Sequence, residues 1–266
     1  MTQIQLRQGL HIHVTEKGTG TPVMLLHGFC GSSGYFAPIV DKLSEHCRVL
    51  TLDLRGHGKS AAPNGPYTIE EMADDIIQVA FKLQLERFVL LGHSLGGYIT
   101  LSLAERYENR LLGFGLIHSN GYPDNEEGKA RRLQAVENIQ TAGIVTFVDK
   151  LIPSLFNPDR LDQLGSQIQA AIQIGYHTPP QGAIGASLAM RERIDRRHVM
   201  DQSSLPLLLI AGRKDSKMTP DKLFTTTRDK VSSHVIEDAG HMSMMETPDE
   251  LVELIRSFVK DQVNPV

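Results

Sequence analysis

Hydrophobic and polar positions change period repeatedly along this chain. The opening stretch, MTQIQLRQGLHIHV, alternates apolar and polar side chains, and residues 10–16 read as a strand. Short apolar runs follow at 23–26 (VMLL), 48–52 (RVLTL) and 87–91 (RFVLL), each bounded and too short for a helix. Between the last two, residues 68–83 switch to a helical period. Ile69, Met72, Ala73, Ile76, Ile77, Ala80 and Phe81 fall on one face. Thr68 with Glu71 three residues on is a capping box, which predicts the start of that helix. A further helix is expected from Ser94 to about Tyr107, then a strand from about 111 to 117. Strands alternating with helices predict βαβ units around a mostly parallel, buried sheet.

The rhythm stops at residues 120–203, which are rich in Gln, Arg, Ala and Ile and helical in pattern throughout. The sheet resumes with PLLLIAG (206–212) and SHVIED (233–238). Thr247, Pro248 and Glu250 then open a last helix as cap, first-turn proline and third-position acid. Because the sheet resumes, the expected organisation is one α/β core, 1–119 and 204–266, carrying a helical insertion at 120–203. A length of 266 residues suits one large domain with such an insertion.

Composition narrows the function classes. Charged residues make up 22% of the chain and the net charge is −4, so neither a disordered chain nor a basic nucleic-acid surface is expected. No segment approaches the roughly 18 consecutive apolar residues of a spanning helix, and no apolar leader opens the sequence. Two cysteines, Cys30 and Cys47, cannot build a disulfide framework, so a reduced, cytoplasmic protein is expected. Nothing in the pattern sets an oligomeric state.

The strongest chemical signal is Gly92-His93-Ser94-Leu95-Gly96-Gly97, directly after the apolar FVLL. This is G-x-S-x-G, a sharp strand-to-helix turn that lifts a serine hydroxyl above a sheet edge. A serine nucleophile needs a base and a group to orient that base. His241 lies in a loop after the last strand, and Asp215 just beyond PLLLI, both at strand C-termini where a parallel sheet binds ligands. The order Ser94, Asp215, His241 is that of the nucleophile-elbow enzymes. Asp238 is a rival acid, but only three residues from His241. His93 reads as a packing residue of the elbow. An oxyanion would be held by the backbone N–H of Leu95 and by that of Phe29, in His27-Gly28-Phe29-Cys30-Gly31, with Gly28 allowing close approach of the substrate.

Other clusters carry less. His11 and His13 share a strand face without an acidic or Cys partner nearby, so no metal site is expected there. Arg55-Gly56-His57-Gly58 lacks the lysine spacing of a phosphate loop. Tyr122, Phe147, Leu151, Phe156, Tyr176 and Met190 are candidates for an apolar pocket over the site, and Met218 and Met242 for its wall. Cys30, next to Phe29, reads either as a small buried residue or as a thiol at the pocket mouth.

Together LLHGF, DLRGHGKS (53–60), GHSLGG, the acid of AGRKD and the base of AGHMSMMETPDEL resemble the α/β-hydrolase superfamily. The resemblance implies an eight-stranded, mostly parallel sheet flanked by helices, a helical cap at 120–203, and neither metal nor organic cofactor. It is strongest to small esterases, lactonases and cofactor-free haloperoxidases. Ser94 stands where haloalkane dehalogenases carry Asp, and Tyr35-Phe36 stand where many relatives carry Trp. The expected activity is hydrolysis of a small carboxylic ester, lactone or thioester through an acyl-enzyme. A carbon–carbon hydrolase or lyase, or a receptor that does not turn over its ligand, would use the same residues. The expected partner is a small ester-like molecule, with no nucleic acid and no membrane.

Overall fold

Every apolar run read from the sequence is a strand in the computed structural model, which describes residues 2–264; Met1 and residues 265–266 of the expected core lie outside the described residues. The strands are β1 (Thr2–Gln5), β2 (His11–Lys17), β3 (Pro22–Leu26), β4 (Arg48–Leu52), β5 (Phe88–His93), β6 (Leu111–Ile117), β7 (Leu207–Gly212) and β8 (Val231–Ile236). They form one eight-stranded sheet in the order β1-β2-β4-β3-β5-β6-β7-β8. Pairing is antiparallel between β1 and β2 and between β2 and β4, and parallel elsewhere. The opening alternation is therefore two strands. A short turn at Arg7–Gly9, with Gly9 at φ +77°, folds β1 back so that Ile4 faces Ile12.

The helices of the core are α1 (Ala37–Leu43), α2 (Ile69–Lys82) and α3 (Leu95–Tyr107). After them come α4 (Glu126–Leu151), α5 (Gly165–Tyr176), α6 (Pro180–Glu192) and α7 (Arg197–Gln202), then α8 (Pro220–Leu223), α9 (Ser243–Glu246) and α10 (Pro248–Phe258). The sheet has a core on each face, and β3 shows why a continuous apolar run suits it. Met24 and Leu26 join the residues of α2 and α3, while Val23 and Leu25 join those of α1 and α10. Strand side chains alternate between faces, so a strand covered on both sides must be apolar throughout.

The capping box of α2 is present: the Glu71 N–H donates to Thr68 Oγ1 (3.1 Å) and the Thr68 N–H to Glu71 Oε2 (2.8 Å). Two local expectations fail. Phe81 is 72% exposed, and the buried stripe of α2 runs through Val79 instead. Phe81 continues the edge of the helix on which Ile77, one turn earlier, is itself only half-buried. Thr247 precedes Pro248 as expected but does not cap α10; its hydroxyl donates back to Ser243 O (3.4 Å), because α9 ends immediately before it.

Residues 120–203 carry α4 to α7 and reach the loops after the parallel strands at individual contacts. Arg196, 4% exposed, ties them to the core through Glu70 (2.6 Å) and Glu105 (2.8 Å). The Tyr67 hydroxyl donates to Gly182 O (2.7 Å), and Gly182 sits so close to Gly56 that any Cβ would collide with its carbonyl. The long α4 kinks at Gly143, whose φ of 81° no ordinary helical residue adopts. Among the described residues, no helix is long and apolar enough to cross a membrane.

Candidate active site

Ser94 sits where β5 turns into α3, at φ 53° and ψ −113°. A non-glycine residue in such a conformation costs on the order of 1–3 kcal/mol, which the surroundings must hold in place. The Ser94 N–H donates to Ile117 O (3.0 Å), and the Ser94 carbonyl accepts from Ser119 Oγ (2.7 Å) and Gly97 N (2.9 Å). Glycine is required on both sides: a Cβ on Gly92 would meet Gly96 O at 2.1 Å, and one on Gly96 would meet Leu26 O at 2.4 Å. The Ser94 side chain does not cap α3, and the residue is only half-buried, so its hydroxyl is available at the positive end of that helix.

Asp215 follows β7. Its Oδ1 accepts the N–H groups of Lys217 (2.7 Å) and Met218 (2.9 Å), which aims Oδ2 at His241 Nδ1, 2.7 Å away. Burial alone would raise this carboxyl; His241 and His118 outweigh it and hold the group far below the usual carboxylate range. Asp238 is exposed, and its carbonyl is occupied by Asn157 (2.9 Å) and Arg160 (3.1 Å). The structure therefore pairs His241 with Asp215.

The loop that carries His241 is organised by Glu246. This buried carboxylate accepts the N–H groups of Gly240 (3.0 Å), Met242 (2.9 Å) and Asn157 (2.8 Å). The His241 N–H donates to Leu155 O (2.7 Å), so the helical stretch also fixes this loop. His93, one residue before Ser94, meets the His241 carbonyl through Nε2 at 2.8 Å, which joins the elbow to the histidine loop. Its position agrees with a packing role.

The Gly28-Phe29 loop lies against the elbow. A Cβ on Gly28 would come within 2.8 Å of His93 Nδ1 and 3.2 Å of Ser94 Cβ. His27 braces the loop: Leu54 N–H donates to its Nε2 (2.9 Å), so Nδ1 carries the proton donated to Gly28 O (2.7 Å). Asp53 accepts from Ser33 N (2.7 Å) and Lys59 N (2.8 Å), tying the loop to the DLRGHGKS turn. Neither the Phe29 N–H nor the Leu95 N–H has a backbone acceptor among the described residues.

The pocket candidates separate. Phe147 packs edge-on against Phe29, ring centres 5.9 Å apart, and with Leu151 lines a cleft of about 270 Å³ along α4. Tyr122 lies under the Arg197 guanidinium (4.3 Å) at a different, polar cleft with Asp195 and His198. Met218 follows the Asp215 loop, its sulfur 3.1 Å from Asn120 Nδ2. Phe156, Met190 and Met242 are buried in the two cores, and the Tyr176 hydroxyl is held by Asp149. These four side chains are part of the packing that shapes the site; apolar character alone did not distinguish them from a pocket wall. Cys30 is fully buried at φ 54°, and burial pushes its thiol up, so it is not at a pocket mouth. His13 is buried while His11 is exposed, and neither belongs to the group of potential metal ligands found among the described residues.

The sequence reading missed His118, Ser119 and Glu246. His118 stands directly after β6, the same strand-end position that singled out Asp215 and His241, so the signal was there. Among the described residues, His118, Asp215 and His241 are the one group of three potential metal ligands, with donor atoms within 4.8 Å of one another. Asp215 and His241 are already hydrogen-bonded to each other through Oδ2 and Nδ1, with His118 beside them.

A serine on a strand–helix elbow, with an Asp–His pair from later strand ends of an eight-stranded sheet, is the arrangement of a nucleophile-elbow protein. The chain belongs to the α/β-hydrolase fold family, whose sequence profile matches residues 21–248. It is 28% identical to 3-oxoadipate enol-lactonase 1 of Acinetobacter baylyi over 258 residues, covering 96% of this chain and 95% of that protein. Among solved structures it is similar to a thermophilic esterase from Thermogutta terrifontis, with a TM-score of 0.91, 30% identity and 97% of both chains covered. It is also similar to the enol-lactonase from Burkholderia xenovorans LB400, with a TM-score of 0.88, 25% identity, and 97% of this chain and 99% of that one covered.

Proposed function

We propose that this protein is a serine hydrolase of small carboxylic esters, with lactones within its range, and that residues 120–203 are the cap over its site. Ser94 is the nucleophile, His241 the general base and acid, and Asp215 the group that orients His241. Phe29 and Leu95 hold the oxyanion. The observation that carries this reading is the 2.7 Å contact between Asp215 Oδ2 and His241 Nδ1, in a loop that His93 joins to the Ser94 elbow at 2.8 Å. With its Nδ1 proton donated to Asp215, the imidazole presents the Nε2 lone pair, which is the tautomer a base needs.

In the first half-reaction Ser94 Oγ attacks the carbonyl carbon as His241 Nε2 takes its proton. The carbonyl oxygen becomes an oxyanion, stabilised by the two backbone N–H groups that have no backbone acceptor of their own. Collapse breaks the ester C–O bond, and His241 returns the proton to the leaving oxygen. Water then attacks the acyl-enzyme by the same steps in reverse. A lactone keeps its leaving group tethered to the acyl chain and releases one hydroxy acid. The esterase and enol-lactonase similar to this chain support the substrate class.

A panel of p-nitrophenyl esters and simple γ-lactones, run beside Ser94→Ala, tests the reading. The parent is expected to turn over short acyl groups at above about 1 s⁻¹, an ordinary enzyme rate, and Ser94→Ala to lose that activity by several orders of magnitude. A single burst without turnover would instead favour a receptor, and activity in folded Ser94→Ala within tenfold of the parent would remove Ser94 from the role.

A further inference from the structure

His118 is a third imidazole at the Asp215–His241 pair, and the acyl-transfer steps above make no use of it. It follows β6 at φ 49°, is fully buried, and its N–H donates to Ile210 O (2.8 Å), which pins it to β7. Its Nε2 lies 2.8 Å from Ser243 Oγ. Its Nδ1 lies 3.4 Å from Asp215 Oδ2, the same oxygen that His241 uses, and makes no closed hydrogen bond. The distance is long for a closed hydrogen bond, so the contact is a poised one.

The tautomer follows from the neighbours. A bare Nδ1 lone pair facing a carboxylate oxygen would repel it, so Nδ1 carries the proton and Ser243 donates its hydroxyl hydrogen to Nε2. We infer that His118 is a positioning residue for the proposed reaction: its Nδ1–H shares Asp215 Oδ2 with His241, and Ser243 fixes the tautomer that allows this. The inference rests on the proposed roles of Ser94, Asp215 and His241.

The groups facing His118 leave it that role. Asp215 comes from the loop after β7, and His241, Ser243 and Glu246 from beyond β8. His93 comes from the end of β5, its ring centre 6.0 Å away. The Glu246 carboxylate is taken up by three backbone N–H groups, and His93 is neutral because burial lowers it. Burial lowers His118 as well, against the pull of Asp215, so it acts as a neutral N–H dipole rather than as a cation.

A second donor on Oδ2 holds the carboxylate in place and draws off part of the negative charge that stabilises the protonated base. Removing it should make His241 easier to protonate and leave Asp215 freer to turn. The test is the pH dependence of kcat/KM for the parent, His118→Phe, His118→Asn and Ser243→Ala, with thermal melting to establish that each is folded. His118→Asn keeps an amide N–H near the position of Nδ1–H, and asparagine tolerates a left-handed backbone.

In His118→Phe the acid limb should move up by about half to one pH unit, a part of the worth of one hydrogen bond to a charged group. kcat should fall several-fold with KM little changed, since His118 is fully buried. His118→Asn should keep the parent's limb, and Ser243→Ala should shift in the direction of His118→Phe by less. A His118→Phe profile superimposed on the parent's, or His118→Asn shifted as far as His118→Phe, would overturn the inference while the parent's own acid limb upholds the Ser94–His241 reading. A parent profile with no acid limb would instead overturn that reading, and this inference with it.

Discussion

Lowering the pH from 7 to 5 should weaken the fold through imidazoles that it buries uncharged, and His57 allows the size of the effect to be worked out. This side chain is fully buried in the DLRGHGKS turn, with Nδ1 3.0 Å from Arg55 O and no partner for Nε2. Burial first, and then the His27 ring 5.2 Å away, push it from 6.5 down to about 3. In the unfolded chain it takes up a proton below pH 6.5; in the folded protein it does so only near pH 3. The unfolded state therefore binds more protons throughout that window, and the stability present above pH 6.5 is lost as the pH falls. By pH 5 the loss from His57 alone is about 2 kcal/mol. Asp53 and Asp215 do not confuse the measurement: both are held below the ordinary carboxylate value, so their contribution is lost only below about pH 4. The assay is the change in Tm between pH 7 and pH 5 for the parent and for His57→Asn, whose amide keeps a donor toward Arg55 O. About 2 kcal/mol corresponds to roughly 4–8 °C in a domain of this size, so the variant's acid loss should be smaller than the parent's by that amount. Equal losses in the two proteins, whatever their Tm values at pH 7, would show that His57 does not carry the acid loss.

Asp215→Asn should lower kcat by about 10³–10⁴, because it removes the acceptor that sets the His241 tautomer, whereas the exposed Asp238→Asn should leave kcat within about twofold; steady-state kinetics of the folded variants would show a reversed ranking if the pairing were wrong. Glu246→Ala leaves three N–H groups of the His241 and Asn157 loops without their acceptor, at about 1–3 kcal/mol for each that stays buried; Tm and kcat should fall together, and a variant of parental Tm would count against the role given to this carboxylate. Iodoacetamide should leave Cys30 unlabelled and activity intact in the folded protein and label it after unfolding; rapid labelling at pH 7 without loss of structure would contradict its burial.

The sequence revealed those parts of the fold whose signals are local. The bounds of β4 and β6 follow from apolar runs that the sheet buries on both faces, and α2 begins where Thr68 and Glu71 cap it. Ser94 was legible because an elbow needs glycine at fixed offsets, here Gly92 and Gly96. Asp215 and His241 were legible from their place beyond strand ends, and geometry then brought them to 2.7 Å. His118 carried the same strand-end signal but no motif, and its proximity to Asp215 depends on β6 and β7 being neighbours, which periodicity does not encode. Glu246 carried no signal, since nothing in sequence shows that three N–H groups converge on it. The helical stretch was the least legible. Phe147 faces Phe29 while Phe156 and Met190 are buried, and the kink at Gly143 and the packing between helices decide which is which.

Covalent trapping asks whether Ser94 is the residue that carries the acyl group. The parent and Ser94→Ala would be treated with a p-nitrophenyl alkylphosphonate, which transfers phosphorus to an activated serine with release of p-nitrophenol, and then examined by intact and peptide mass spectrometry. The expected result is one phosphonyl group per chain of the parent, mapped to Ser94, with activity lost in the same proportion, and no adduct on the folded Ser94→Ala. Inactivation of the parent with the phosphonyl group on another residue, or equal labelling of both proteins, would take the nucleophile's role away from Ser94.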